Sequence, residues 1–279
     1  MSVAATKTGA SHGSASAPER FSLAVSRVDA SDALSVWQRN LLVYLRQWKM
    51  HLVAPLIEPV FTVFAFGWGI GSLIAARVEG VPYLSFVGAG VLAFTVIMRA
   101  LFETTYASYF RMVYQSTYDA ILATPVEAES LAFAEICWAV TKATLDSLII
   151  LIILALFGAA TSAFALLAPL PLIIGSFFIA ALSLGVTAHV YDIDSFNLYM
   201  AVFFSSIFLC GAWFPIEVLP PGLRLLAWAI PLTSAIDLTR ALLNGRFFLR
   251  HIYEATYLLI AAMIFTEWAL RSLRRRMVA

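Results

Sequence analysis

LLAPLPLIIGSFFIAALSLGVTA, residues 166–188, runs for 23 positions without one charged side chain. A helix rises about 1.5 Å per residue, so a run of this length matches a hydrocarbon core of ~30 Å. The run is continuously apolar, whereas a membrane barrel strand alternates between its lipid and lumen faces. It reads as a transmembrane helix.

Five further stretches have the same character. Residues 52–76 carry Glu58 and two prolines near the start, and residues 83–105 end in Arg99 and Glu103. Residues 136–160 hold Lys142 and Asp146, residues 196–214 carry no charge, and residues 252–270 complete the set. Residues 223–243 are also apolar, but Pro231 interrupts them and Arg224, Asp237 and Arg240 lie among them, which suits a re-entrant or interfacial segment better than a span.

The composition agrees. Of 279 residues, 61% are hydrophobic and 13% charged, against about 45–50% and 25% in soluble domains. The expected fold is all-α: a polytopic membrane protein with six transmembrane helices. This excludes a soluble enzyme, a secreted disulfide scaffold and a disordered regulator. With 18 Lys+Arg against 17 Asp+Glu, the chain lacks the basic surplus of a nucleic-acid binder. Cys137 and Cys210 lie in apolar runs and read as small buried hydrophobes.

An even number of spans puts both termini on one side. Six Lys/Arg precede the first span, Arg99 and Arg111 lie between spans two and three, and Arg271, Arg274, Arg275 and Arg276 end the chain, making twelve. The opposite side holds five: Arg77, Arg224, Arg240, Arg246 and Arg250. Positive residues favour the cytoplasm, so both termini are expected there. Residues 1–31 read as a disordered cytoplasmic tail, rich in Ser, Ala, Gly and Thr. Residues 32–50 read as an amphipathic interfacial helix and residues 51–276 as the six-span domain. In the interfacial helix Leu34, Trp37, Leu41, Leu45 and Trp48 recur at helical spacing, with Arg39, Arg46 and Lys49 on another face. It serves either as an anchor in membrane lipid or as an elbow that passes movement to the first span.

Four segments invite functional readings. YASYFRMVYQSTYDAILATPVEAESLAFAE, residues 106–135, alternates aromatics with polar groups and is broken at Thr124-Pro125, because a residue before proline avoids the helical well. It is either a stiff cytoplasmic lever or a capped loop. Arg99 with Glu103, and Lys142 with Asp146, are spaced i,i+4 and can pair along one helix face. Such groups are costly at membrane depth, so they either line a polar pathway or neutralise each other at the boundary. Gly67 and Gly71 form a small-residue packing seam, within the chain or across a dimer. Residues 211–246, broken by Pro215, Pro220, Pro221 and Pro231, form an outer gate or an interfacial cap.

No phosphate-cradling Gly-x-x-x-x-Gly-Lys-[Ser/Thr], His-Glu-x-x-His or Gly-x-Ser-x-Gly occurs. Asp192-x-Asp194, at the turn between the fourth and fifth spans, either ligates Mg²⁺ for lipid phosphotransfer or is a solvated turn. It leaves a multi-span lipid-modifying enzyme as the alternative reading.

Several stretches recur in a specific order. They are Phe102-Glu103-Thr104 with Tyr106-Ala107, then Arg111-Met112, Tyr118-Asp119-Ala120, Leu122 and Thr124. Ala134-Glu135, Trp138-Ala139, Thr141-Lys142-Ala143 and Tyr191-Asp192 follow. Gly211-Ala212, Phe214-Pro215, Leu219-Pro220, Pro231-Leu232 and Ile236-Asp237-Leu238 with Arg240 complete the set. In this arrangement the chain resembles the type-2 ABC exporter permease family, and within it the nodulation protein J-like branch. The resemblance implies a multi-pass protein of the bacterial inner membrane that binds no cofactor or metal and has no catalytic residue. ATP and Mg would sit on a separate ABC ATP-binding subunit, and a second permease copy, identical or paralogous, would complete the complex. It further implies that Tyr118, Asp119, Leu122, Thr124 and Pro125 belong to a cytoplasmic coupling helix seated on the ATPase. Phe214, Pro215, Leu219, Pro220 and Pro231 would belong to an outer re-entrant gate, and the cargo would be a lipo-oligosaccharide or similar amphiphile.

Overall fold

The computed structural model describes residues 23–71, 73 and 77–278, with the backbone alone for residues 50–56 and 68. Asp29 accepts a hydrogen bond from the Ser31 amide at 2.8 Å and caps the first helix, α1 (Ala30–Arg46). Gln47 leaves the helical conformation, and α2 (Trp48–Val63) follows, widening into a π-helical segment at Phe64–Ile70. α3 (Tyr83–Phe102) runs on through two more π-helical turns, Glu103–Ala107 and Phe110–Tyr114. A short α4 (Thr117–Leu122) then leads to α5 (Ala128–Leu156), α6 (Pro169–Thr187) and α7 (Phe196–Leu209). α8 (Pro221–Ala229), α9 (Pro231–Asn244) and α10 (Arg250–Val278) finish the chain. α6 packs against α3, α5, α9 and α10, while α1 lies along α5. Arg276, in the last turn of α10, donates to the Thr187, Ala188 and Val190 carbonyls and so closes the C-terminus of α6.

The helical class expected from the sequence is present, but fewer helices reach spanning length. Among the described residues four are long and apolar enough to cross a membrane: Tyr83–Tyr114, Ala128–Leu156, Ala163–Thr187 and Arg250–Val278. A fifth counts only if α8 and α9, bent by 87°, are taken as one span. The expected span at 52–76 is helical through Ile70, its longest apolar stretch being Ile57–Gly67; residues 72 and 74–76 of that expectation lie outside the described residues.

The expected span at 196–214 stops early. Gly211 takes φ +77°, a left-handed conformation that ends the helix after Cys210. The turn is held from three sides: Arg240 Nη2 donates to the Gly211 carbonyl at 2.6 Å, α3 approaches at Gly90, and Trp213 packs on Phe66 and Phe94.

Other boundaries also move. Residues 1–22 of the expected tail lie outside the described residues, but its last part is structured. A 3-10 turn, Ala24–Arg27, is held where the Ala24 and Val25 amides donate to the Glu267 carboxylate at 2.6 and 3.1 Å. The connection at 106–135 is shorter than its sequence suggested. Tyr106 and Tyr109 pack on Phe196, which keeps the chain helical to Tyr114, and Ser116 at φ +47° makes the break. The break at Thr124-Pro125 is where the sequence placed it, just after α4. The helix expected over residues 32–50 begins at Ala30 and ends at Arg46. It buries Ala33, Val36 and Asn40 and leaves Leu34 and Leu45 exposed, while Trp48, also exposed, opens α2.

The glycine pair does not form one seam. A Cβ on Gly67 would lie 2.5 Å from Leu84 Cδ1, so Gly67 admits α3 of the same chain. On Gly71 it would lie 1.9 Å from the carbonyl of Gly67 itself, so Gly71 serves the winding of its own segment.

Candidate functional site

Glu135, Trp138, Lys142 and Asp146 recur at i, i+3, i+7 and i+11, which places them on one face of α5. That face meets the C-terminal end of α3 and its continuation, which carry Arg99 and Glu103, and the face of α1 that carries Asn40 and Tyr44. All four residues expected in a polar pathway therefore come together, but the pairing differs from the expected one. Arg99 bonds Asp146, and Lys142 Nζ bonds Glu103 Oε2 at 2.6 Å, so each pair crosses between helices instead of running along one. Inter-helix pairing lets each buried charge meet its opposite at close range without distorting either backbone.

Two residues the sequence did not single out complete the network. Arg111 reaches Glu103 Oε1 at 3.0 Å and Glu135 Oε2 at 2.6 Å. Glu135 also accepts from Asn40 Nδ2 at 3.0 Å, and Trp138 Nε1 donates to Glu103 Oε1 at 3.1 Å. In a regular helix Arg111 would lie ~80° around the axis from Glu103. One extra residue in a π-helical turn subtracts ~100° and returns it to nearly the same face. Three cations thus face three carboxylates, and the assembly is formally neutral. Lys142 Nζ also sits 5.8 Å from the Tyr44 ring centroid and 6.0 Å from that of Trp138.

Because the pairs cross between helices, their coupling is measurable. A double-mutant cycle of Arg99→Gln with Asp146→Asn should show a coupling of about 0.5–3 kcal/mol in thermal unfolding. The cycle of Arg99→Gln with Glu103→Gln should show a much smaller one.

Beside the network lies a cavity of about 400 Å³, lined by Arg39, Tyr44, Phe110, Glu103, Arg111 and Lys142 among others. Aromatic rings and charged groups share its wall, the mixture that receives a molecule with both polar and apolar parts.

The residues expected to couple to a partner lie along α4 and the turn after it, with different orientations. Tyr118 is fully buried, its hydroxyl next to Ser108 and Arg111, and burial pushes that hydroxyl above its usual pKa. Asp119, Thr124 and Pro125 are exposed and Leu122 is half-buried. Tyr118 therefore packs α4 next to the charge network, its hydroxyl buried without a hydrogen-bond partner, while Asp119, Thr124 and Pro125 present a surface.

At the other end, Pro215 precedes a 3-10 turn at Ile216–Val218, Leu219-Pro220 leads into α8, and Pro231 begins α9. Phe214 is half-buried beside this turn. The corner between α8 and α9 is pinned by Thr233 Oγ1 donating to Ala227 O at 2.5 Å and by Tyr257 donating to Ala229 O at 2.6 Å.

A second polar cluster there escaped sequence reasoning, because Asp237 is distant in sequence from Arg250, His251 and Glu254. Arg250 Nη2 bonds Asp237 Oδ2 at 3.0 Å, and Arg250 Nε lies 3.7 Å from Glu254. The Phe248 amide donates to His251 Nδ1 at 3.0 Å, so a neutral ring carries its proton on Nε2, toward Asp237 at 3.4 Å. Asp237 and Glu254 Oε1 face Arg250, but the buried Glu254 Oε2 has no hydrogen-bond partner, and the ligating atoms of Asp237, His251 and Glu254 lie within 4.8 Å of one another. Asp192 and Asp194 are exposed at the turn before α7 and, among the described residues, join no group of three ligating side chains.

Residues 32–244 match the family model described as ABC-2 type transporter. Nodulation protein J of Rhizobium leguminosarum bv. viciae is 36% identical over 215 residues, covering 76% of this chain and 82% of that protein. Nodulation protein J of Bradyrhizobium diazoefficiens is 31% identical over 80% of this chain and 85% of its own length. The inner membrane transport permease YadH of Escherichia coli is 24% identical over 73% of this chain and 79% of its own length.

Proposed function

Because the chain belongs to the ABC-2 type transporter family, we propose that it is the permease subunit of an ATP-driven exporter that moves a lipid-linked saccharide, lipo-oligosaccharide or similar amphiphile out of the cytoplasm. In this reading the protein crosses the inner membrane six times, with α2 and α7 as the two shorter crossings and both termini cytoplasmic. It works as a pair of permease copies with two ATP-binding subunits that hold the ATP and Mg.

One observation carries the reading: Tyr118 of the short α4 is buried against Arg111, which in turn bonds Glu103 of α3 and Glu135 of α5. A push on the exposed Asp119, Thr124 and Pro125 would pass through that link to both long helices at once. The adjoining cavity supports an amphiphilic cargo. Its charged and amide side chains, Arg39, Arg111, Lys142 and Glu103 with Asn40, Gln47 and Gln115, suit a polar head group, while the aromatic groups and the bilayer accommodate a lipid tail.

The test is reconstitution in vesicles with the ATP-binding subunit that co-purifies with the chain. Asp119→Lys, and separately Pro125→Ala, should lower export per ATP hydrolysed several-fold while ATP is still hydrolysed, because the push then reaches α3 and α5 out of position. Unchanged coupling in both variants, or export by the chain without an ATPase, would overturn the proposal.

A further inference from the structure

Glu129 lies in the first turn of α5, four residues beyond Pro125, and is 3% exposed. Its Oε1 faces guanidinium groups from the two ends of the chain. Arg274 Nη1, from the last turns of α10, stands 3.1 Å away, and Arg27 Nη1, from the 3-10 turn before α1, stands 3.7 Å away. Nearby bonds reinforce the same junction. The Asp29 amide donates to Ser130 Oγ at 2.9 Å, and the Glu267 carboxylate that holds the Ala24 and Val25 amides also holds Arg271 at 2.6 Å. Leu122 of α4 and Met277 of α10 border the same groove as Glu129.

An exposed ion pair contributes little, because water screens it and two long side chains must be ordered. Glu129 differs: its carboxylate is buried and shared by partners some 250 positions apart in sequence. Two cations on one carboxylate also make the junction depend on its charge, since the attraction of Glu129 for both guanidinium groups is lost when it is neutralised.

We infer that Glu129 is a positioning residue that ties the α4–α5 corner to both the N-terminal turn and α10. When α4 moves, the tie carries α10 with it. α10 lies along α6, and Arg276 closes the end of α6, so the displacement extends from α3 and α5 to a second helix pair. This inference rests on α4 being the coupling element, and its test separates the two ideas.

Two measurements are made on the full chain. In hydrogen exchange on the purified protein, Glu129→Gln should speed exchange about tenfold at both 24–28 and 272–278, which lose an ion-pair partner together, and leave the middle of α5 unchanged. Glu129→Asp should retain most of the protection. In vesicles with the co-purified ATP-binding subunit, Glu129→Gln should lower export per ATP several-fold with ATP hydrolysis retained, and Glu129→Asp should restore it. Should Glu129→Gln fail to fold, Arg274→Gln removes the nearer donor at a more exposed position and is expected to loosen 272–278 and lower export per ATP. Unchanged exchange at either end, or unchanged coupling with Asp119→Lys and Pro125→Ala still uncoupling, overturns the tie alone. Loosened ends with normal coupling in all three variants overturns the lever reading, and with it this role for Glu129.

Discussion

Glu103→Ala is expected to abolish export and to lower stability by about 3–5 kcal/mol, the cost of removing one partner from a buried ion pair. Glu103 is 6% exposed and accepts from three donors: Arg111, Lys142 and Trp138. Its loss leaves Lys142 with the ring faces of Tyr44 and Trp138 and the more distant charge of Asp146, and leaves Arg111 with Glu135 as its carboxylate partner beside a long bond to Ser108. Glu103→Gln preserves the shape and can still accept from Trp138, so it isolates the charge. It should lose less than Ala, yet more than Glu135→Gln, because Glu135 answers a single cation. Thermal unfolding of the detergent-purified chain measures the stability difference, and vesicle export measures the function. Equal stability of the wild type and Glu103→Ala would show that the network contributes nothing to holding α3 against α5.

The second large effect falls far from any charge on Glu103. Gly90→Ala places a Cβ 1.8 Å from the carbonyl oxygen of Ala212, well inside any tolerated contact. Both sides of that contact are backbone, so no side-chain rotation relieves it. α3 must move away from the turn that ends α7. The same turn holds the Arg240 bond to Gly211 and the packing of Trp213, so the displacement would loosen the segment that follows α7 as a unit. Overpacking commonly costs 1–3 kcal/mol, and this site belongs at about 3 kcal/mol because neither partner can yield. Gly222→Ala is the control: its Cβ would meet nothing within 4 Å, so it should be neutral or slightly stabilising in α8. Matching melting temperatures for the two variants would contradict the close approach.

The membrane class and the helical class were legible in composition and in continuous apolar runs, because lipid forces every backbone polar group to bond within its own helix. The helix break before Pro125 was legible for a local reason, since proline restricts the residue in front of it. The four in-membrane charges were legible as important because each is expensive at depth. Their partners were not. Sequence spacing suggested Arg99 with Glu103 and Lys142 with Asp146, each along one helix, and the fold exchanged the partners. Arg111 was hidden for a related reason: a 3.6-residue period places it away from Glu103, and only the wide turns at Glu103–Ala107 and Phe110–Tyr114 restore its reach.

The division follows from the range of the forces. Solvent preference and backbone sterics act within a few residues, so the chain alone dictates that it enters a bilayer, that it is helical there, and where proline breaks it. The end of α7 depends on a carbonyl grasped by Arg240 from another helix. The setting of Gly67 depends on Leu84, and the junction at Glu129 depends on arginines from both ends of the polypeptide. Those contacts join positions that no local rule relates, and they exist only once the helices have packed.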